Sequence, residues 1–124
     1  MDFDASRPIW RQLVEECARR IVTGQWPVGE RVPGVRDLGV ELGVNPNTVQ
    51  RAMSELDRQG VTVADRTKGR HVTHDADRVD ALRQELAATQ ADEFIRGARG
   101  LGMSLDRAQS LIDTRWNAME QEES

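Results

Sequence analysis

Two short amphipathic stretches, joined by a glycine turn, set the architecture of this chain. Over residues 34–42, Val35, Leu38 and Leu42 fall at i, i+3, i+7, which predicts a helix stopped by Gly43. Val44 lies in the turn. Asn45 then caps a following helix whose first position is Pro46, where a missing N–H costs nothing. Val49, Ala52, Met53 and Leu56 make one apolar stripe on that helix, and Gly60 ends it. Leu38 and Leu42 are spaced to share a core with Val49, Ala52 and Met53. Two helices joined in this way form a helix-turn-helix.

The flanking segments extend the motif. Residues 8–23 read as a helix, with Ile9, Leu13, Cys17 and Ile21 repeating every four positions and Trp10, Val14, Ala18 and Val22 beside them. Ser6 is the expected N-cap, with Pro8 in the first turn and Gly24 at the end. Pro27, Gly29 and Pro33 mark residues 25–33 as a loop. After Gly60 the period changes from helical to two. Val61 and Val63 alternate with Thr62 and Ala64, the polar turn Asp65-Arg66-Thr67-Lys68-Gly69 follows, and Arg70-His71-Val72-Thr73 returns. A hairpin placed directly after the third helix is a wing.

From Asp77 the chain is helical again. Val79, Leu82 and Leu86 begin a stripe that Phe94, Ile95 and Ala98 continue, and Gly100 and Gly102 break it. Ser104 caps a last helix, Asp106 suits its dipole, and Ala108, Leu111, Ile112, Trp116 and Met119 line one face. Residues 120–124 are expected to fray. The expected fold is α+β, mostly α: a winged helix-turn-helix over residues 1–74, then a two-helix tail over 75–124. Two helices cannot enclose a core of their own. The tail is therefore expected to pair with a second copy through Leu82, Leu86, Phe94, Ile95, Leu111, Ile112 and Trp116, giving a homodimer. Docking on the chain's own N-terminal domain is the alternative.

Composition narrows the class of partner. Hydrophobic residues make up 38 % and charged residues 31 %, the balance of a soluble globular protein. No apolar run approaches the roughly 20 residues that span a bilayer. The acidic Met1-Asp2-Phe3-Asp4 start lacks the features of a signal peptide, so a cytoplasmic location is expected. Cys17 is the only cysteine, which excludes an intrachain disulfide, and its place on an apolar face marks it as a buried structural thiol. The net charge of −4 is unevenly spread, with +1 over residues 1–74 and −5 over 75–124. Affinity for nucleic acid follows the field at the contact surface and not the total.

The third helix carries the candidate chemistry. Opposite its apolar stripe lie Asn47, Arg51, Ser54 and Arg58, with Thr48 and Gln50 on the flanks. The N-terminal half of such a helix enters the major groove. Asn47, Gln50 and Arg51 are then base readers, since amides pair with adenine edges and arginine with guanine O6 and N7. Thr48 and the N–H groups of the first turn would hold a phosphate. Arg36, in the first turn of the second helix, would reach the DNA backbone, unless Asp37 or Glu41 pairs with it. The wing places Arg66, Lys68 and Arg70 around Gly69 for phosphate or minor-groove contact. Trp26 and Trp116 read as packing residues. His71 and His74 precede Asp75 and Asp77, but that spacing is not diagnostic of a metal site. No cofactor or metal is expected. No phosphate loop, catalytic triad or acid pair is present, so the chain does not read as an enzyme. Two rivals remain: a winged-helix module that binds protein without DNA, and a metal-responsive sensor or small enzyme using the two histidines.

The chain resembles the GntR family of bacterial transcription regulators, and within it the small YtrA-type branch. The resemblance is carried by Pro8-Ile9-Trp10, by residues 24–33 (GQWPVGERVP), by Val35-Arg36-Asp37-Leu38, and above all by residues 42–52 (LGVNPNTVQRA). It covers residues 7–73, while the tail matches in length and layout. It implies a homodimeric repressor on an inverted repeat. Arg36, Asn47, Thr48 and Arg51 would touch DNA, Gly69 would sit in the wing, and neighbouring ABC-transporter genes are often the targets. The tail is too short for the effector domains of larger relatives. Gly34 stands where a serine usually caps the second helix. Thr67, Arg70-His71 and Val61-Thr62 depart from the usual wing.

Overall fold

The computed structural model describes residues 1–124. Helices α1 (Ile9–Val22), α2 (Val35–Leu42) and α3 (Pro46–Arg58) precede strands β1 (Thr62–Asp65) and β2 (Gly69–Val72), then helices α4 (Ala76–Gly100) and α5 (Leu105–Glu123). The chain divides into two units, Met1–Leu86 and Ala87–Ser124, so α4 contributes to both.

In the first unit, Leu13, Cys17 and Ile21 of α1 meet Leu38 and Leu42 of α2 and Val49, Ala52, Met53 and Leu56 of α3 in one core. Trp26, Val32, Val61 and Val72 close it. The turn between α2 and α3 forms as the sequence indicates: Gly43 is left-handed, and the Asn45 side chain accepts from the Asn47 N–H at 2.8 Å. Gly39 is a tighter constraint that the apolar pattern conceals. A Cβ there would stand 2.7 Å from the backbone oxygen of Val44, so only glycine lets the turn close against α2. The start of α1 differs from expectation. Pro8 takes the cap position with no side-chain bond, and Ser6 donates instead to Asp4. Buried Gln12 supplies the lost fastening, accepting from the Asp4 N–H at 2.8 Å and donating to the Asp4 oxygen at 2.6 Å.

Cys17 is fully buried, and burial pushes its thiol up to about 12. The native protein is expected to resist thiol reagents at pH 8 and to react fully once denatured, as a colorimetric thiol titration would show. Rapid labelling of the native state would contradict this packing. The raised value also gives a sign for alkaline stability. The unfolded thiol ionises first as pH rises past its ordinary value, so this group favours unfolding between that value and about 12.

The wing pairs Thr62 with Val72 and Asp65 with Gly69 in antiparallel register. Its inward face is not the one that apolar alternation suggested. Val61 and Thr62 are buried, whereas Val63 is exposed, because the Thr62 hydroxyl has a partner beneath the sheet. Residues 30–32, read as loop, run along the outside of β2. Arg31 bridges His71, the Val32 N–H donates to the Arg70 oxygen at 3.0 Å, and the Val72 N–H donates to the Glu30 oxygen at 2.9 Å. Pro27, Gly29 and Pro33 masked this short strand-like stretch.

The first turns of α4 correct the boundary expected after residue 74. Val79 and Leu82 are buried in the core of the first unit, and Leu86 packs against it. Arg78 Nε donates to the Gln59 oxygen, and an Arg83 guanidinium nitrogen donates to the Val22 oxygen, each at 2.9 Å. A core built on three short helices lacks a cover on this side, and α4 provides it. Leu82 and Leu86, expected at a dimer interface, are thus intrachain packing residues.

In the second unit, the end of α4 leads through a short turn into α5. The Met103 N–H donates to the Ala98 oxygen at 3.0 Å, and the Ser104 side chain accepts from the Arg107 N–H. Ala98 is buried, but no residue of α5 is. Ile95, Leu111, Ile112, Trp116 and Met119 are exposed and Phe94 is half-buried. Trp116, expected as a packing residue, is exposed, and its indole N–H donates to Glu120 at 3.1 Å. Helix α5 continues to Glu123, beyond the point where fraying was expected.

Candidate nucleic-acid interface

Asn47, Gln50 and Arg51 are exposed on α3, and Thr48 is half-buried. The Gln50 amide donates to the Ser54 hydroxyl at 3.1 Å, which aligns it along the helix. The first turn of α3 is less open than its sequence suggests. Pro46 has no N–H, the Asn47 N–H goes to the Asn45 side chain, and the Thr48 N–H goes to the Asn45 oxygen. A phosphate cradle of free amides is therefore not present there. At the start of α2, by contrast, Gly34 offers no side-chain cap, and the N–H groups of Val35, Arg36 and Asp37 find no acceptor within the chain.

The cations sort into two sets. Arg20 pairs with Glu16 at 3.0 Å and with Glu41 at 2.7 Å, and Arg58 pairs with Glu55. Hydrogen bonds from Arg58 and Gln59 hold the Glu55 carboxyl down to about 2. Arg36, Arg51, Arg66 and Lys68 are exposed and join no ion pair. Glu41, which could have neutralised Arg36, is committed to Arg20. Arg51 lies over the Trp10 ring, 4.3 Å from its centroid.

Arg70, also expected among the DNA contacts, belongs to the paired set. Its Nε and one terminal nitrogen grip Asp57 at 3.0 and 2.9 Å, and the Thr62 hydroxyl donates to the same carboxylate at 2.6 Å. This network fastens the wing to α3. Asp57→Asn is expected to cost about 2 kcal/mol in urea unfolding, the scale of a hydrogen-bonded charge in partly buried surroundings. A loss within experimental error would mean that the wing is held by its apolar contacts alone.

At the wing tip, Asp65 accepts from the N–H and hydroxyl of Thr67 and from the Lys68 N–H, and these bonds hold its carboxyl below the usual range. Gly69 has φ +74°, and a Cβ there would stand 3.1 Å from Arg31 Nε. Arg31 is thus an exposed, unpaired cation beside the wing. Sequence reasoning missed it because it was counted within a loop. The His71 and His74 rings lie 5.4 Å apart, and no third ligand-type residue joins them in a cluster able to hold a metal.

Helix α3, a cap-free α2 and a cationic wing fit the geometry of a winged helix on duplex DNA. Residues 10–72 match the family described as bacterial regulatory proteins, gntR family. The chain belongs to the GntR family. It is 30 % identical over 112 residues to the HTH-type transcriptional regulator YhcF of Bacillus subtilis, covering 90 % of this chain and 93 % of YhcF. It is 32 % identical over 76 residues to the HTH-type transcriptional repressor YtrA of the same organism, 61 % of this chain and 58 % of YtrA, which supports the YtrA-type branch. A solved GntR family transcriptional regulator from Listeria monocytogenes superposes with a TM-score of 0.81 at 32 % identity, over 90 % of this chain and 98 % of that one. The GntR-family chain is accordingly a DNA-binding transcriptional regulator and not an enzyme. None of its helices is long and apolar enough to cross a membrane.

Proposed function

We propose that the chain is a homodimeric repressor that binds an inverted-repeat operator through Arg36, Asn47, Thr48, Gln50 and Arg51, with Arg66, Lys68 and Gly69 of the wing alongside. The reading rests on one observation above the others. Leu111, Ile112 and Trp116 form an exposed apolar face on a helix with no buried residue. Monomeric proteins rarely expose such a patch, and a second copy would cover it. Two recognition helices related by a two-fold axis would then read two half-sites. Repression is the sense suggested by the name of YtrA. Neighbouring transporter genes are the targets suggested by resemblance to the YtrA-type branch.

Fluorescence anisotropy against the DNA upstream of its own gene and against a scrambled duplex, across a salt series, tests this reading. Tighter binding to the upstream duplex, with affinity falling steeply as salt rises, is expected. Equal weak binding to both would place the operator elsewhere. No binding at low salt would favour the protein-interaction module.

A further inference from the structure

Trp10 carries two arginines. Arg51 of α3 lies 4.3 Å from its ring centroid, and Arg11 of α1 lies 5.4 Å from it. Two guanidinium groups around one ring sit within about 10 Å of each other, a distance at which ordinary salt leaves their repulsion partly unscreened. Neither is neutralised. Glu15, one helical turn from Arg11, is held by Arg7, and Glu55, one turn from Arg51, is held by Arg58. Both arginines are exposed, and neither makes a hydrogen bond or ion pair within the chain. A guanidinium that rests its face on a ring keeps its in-plane N–H donors free, and that fork matches a phosphate.

We propose that Arg11 and Arg51, positioned by Trp10, form a clamp for the sugar–phosphate backbone at the flank of α3. This inference rests on the DNA-binding reading above and changes the part played by Arg51. A side chain drawn across to α1 is placed beside the groove, where the strands run, and not at base edges on its floor. Sequence discrimination then falls to Asn47 and Gln50. Arg11, absent from the residues singled out in the sequence, becomes a backbone contact.

The test measures anisotropy of the full chain and its variants on the upstream and scrambled duplexes across a salt series, with thermal melts to confirm folding. Arg11→Ala and Arg51→Ala are each expected to lower the salt slope by about 0.9, the release expected for one phosphate contact. Each should weaken both duplexes by the same factor. Trp10→Leu should also weaken both, Trp10→Phe should restore most of the loss, and Trp10→Leu should add little once Arg51 is alanine. That coupling separates positioning from a general loss of packing. An Arg51→Ala effect confined to the upstream duplex would overturn the clamp in favour of base reading. So would an unchanged salt slope in Arg11→Ala, or an undiminished Trp10→Leu effect in the Arg51→Ala background. Failure of the wild-type chain to bind either duplex would instead sink the DNA-binding reading itself.

Discussion

Leu56→Ala is expected to destabilise the first unit by about 2–5 kcal/mol, the range for deleting a buried leucine side chain beyond Cβ. Leu56 has no exposed surface, and its backbone oxygen accepts from the Val61 N–H at 3.0 Å as α3 gives way to the wing. Truncation leaves a void between α3 and the helices it packs on, and the wing root cannot collapse into it without losing that bond. Small domains hold only about 5–15 kcal/mol in total. At about 4–8 °C per kcal/mol for a domain of this size, the melting temperature should fall by at least 8 °C. Circular dichroism during heating and urea unfolding would measure both. A loss below about 1 kcal/mol would place Leu56 outside the cooperative core.

The double substitution Ile112→Glu with Trp116→Glu is expected to give a monomer and to weaken operator binding by about 10²–10⁴-fold. Both side chains are exposed in the single chain, at 46 % and 66 %, so the substitutions should leave the melting of the first unit almost unchanged. In a dimer they would bury charges without partners, which association cannot tolerate. The lost factor is one of linkage. Two recognition helices on one particle make the second half-site encounter intramolecular, and separate chains must bind each half-site from solution. Light scattering coupled to size exclusion gives the mass, and anisotropy gives the affinity. A variant that remains dimeric would move the interface elsewhere, and a monomeric wild type with tight operator binding would remove the dimer from the mechanism.

The helix-turn-helix was legible because its signals are local. Asn45-Pro46 announces a helix start, Gly43 a helix end, and the apolar spacing of Leu38 to Leu56 a shared core. Contacts between distant segments were not. Nothing near Arg70 in the sequence reveals that Asp57 lies beside it and pairs with it. The stripe of α4 is continuous from Val79 to Ala98, and spacing alone does not say where its partner changes. Spacing therefore groups Leu82 and Leu86 with Phe94, Ile95 and Ala98 farther along the same helix. The swap of open amides from α3 to α2 had a visible cause in Gly34, but its meaning depended on how Asn45 used its own side chain and carbonyl.

The sorting of cations into paired and free sets has a practical corollary. The protein carries a net charge of −4 and a pI near 5.2, and residues 87–124 hold four basic and seven acidic side chains. It should therefore bind an anion-exchange resin at neutral pH. The unpaired arginines and Lys68 of the first unit offer a polyanion a separate foothold, so the same preparation should also be retained on immobilised heparin. Retention on both matrices is behaviour that an isoelectric point taken alone would not foretell.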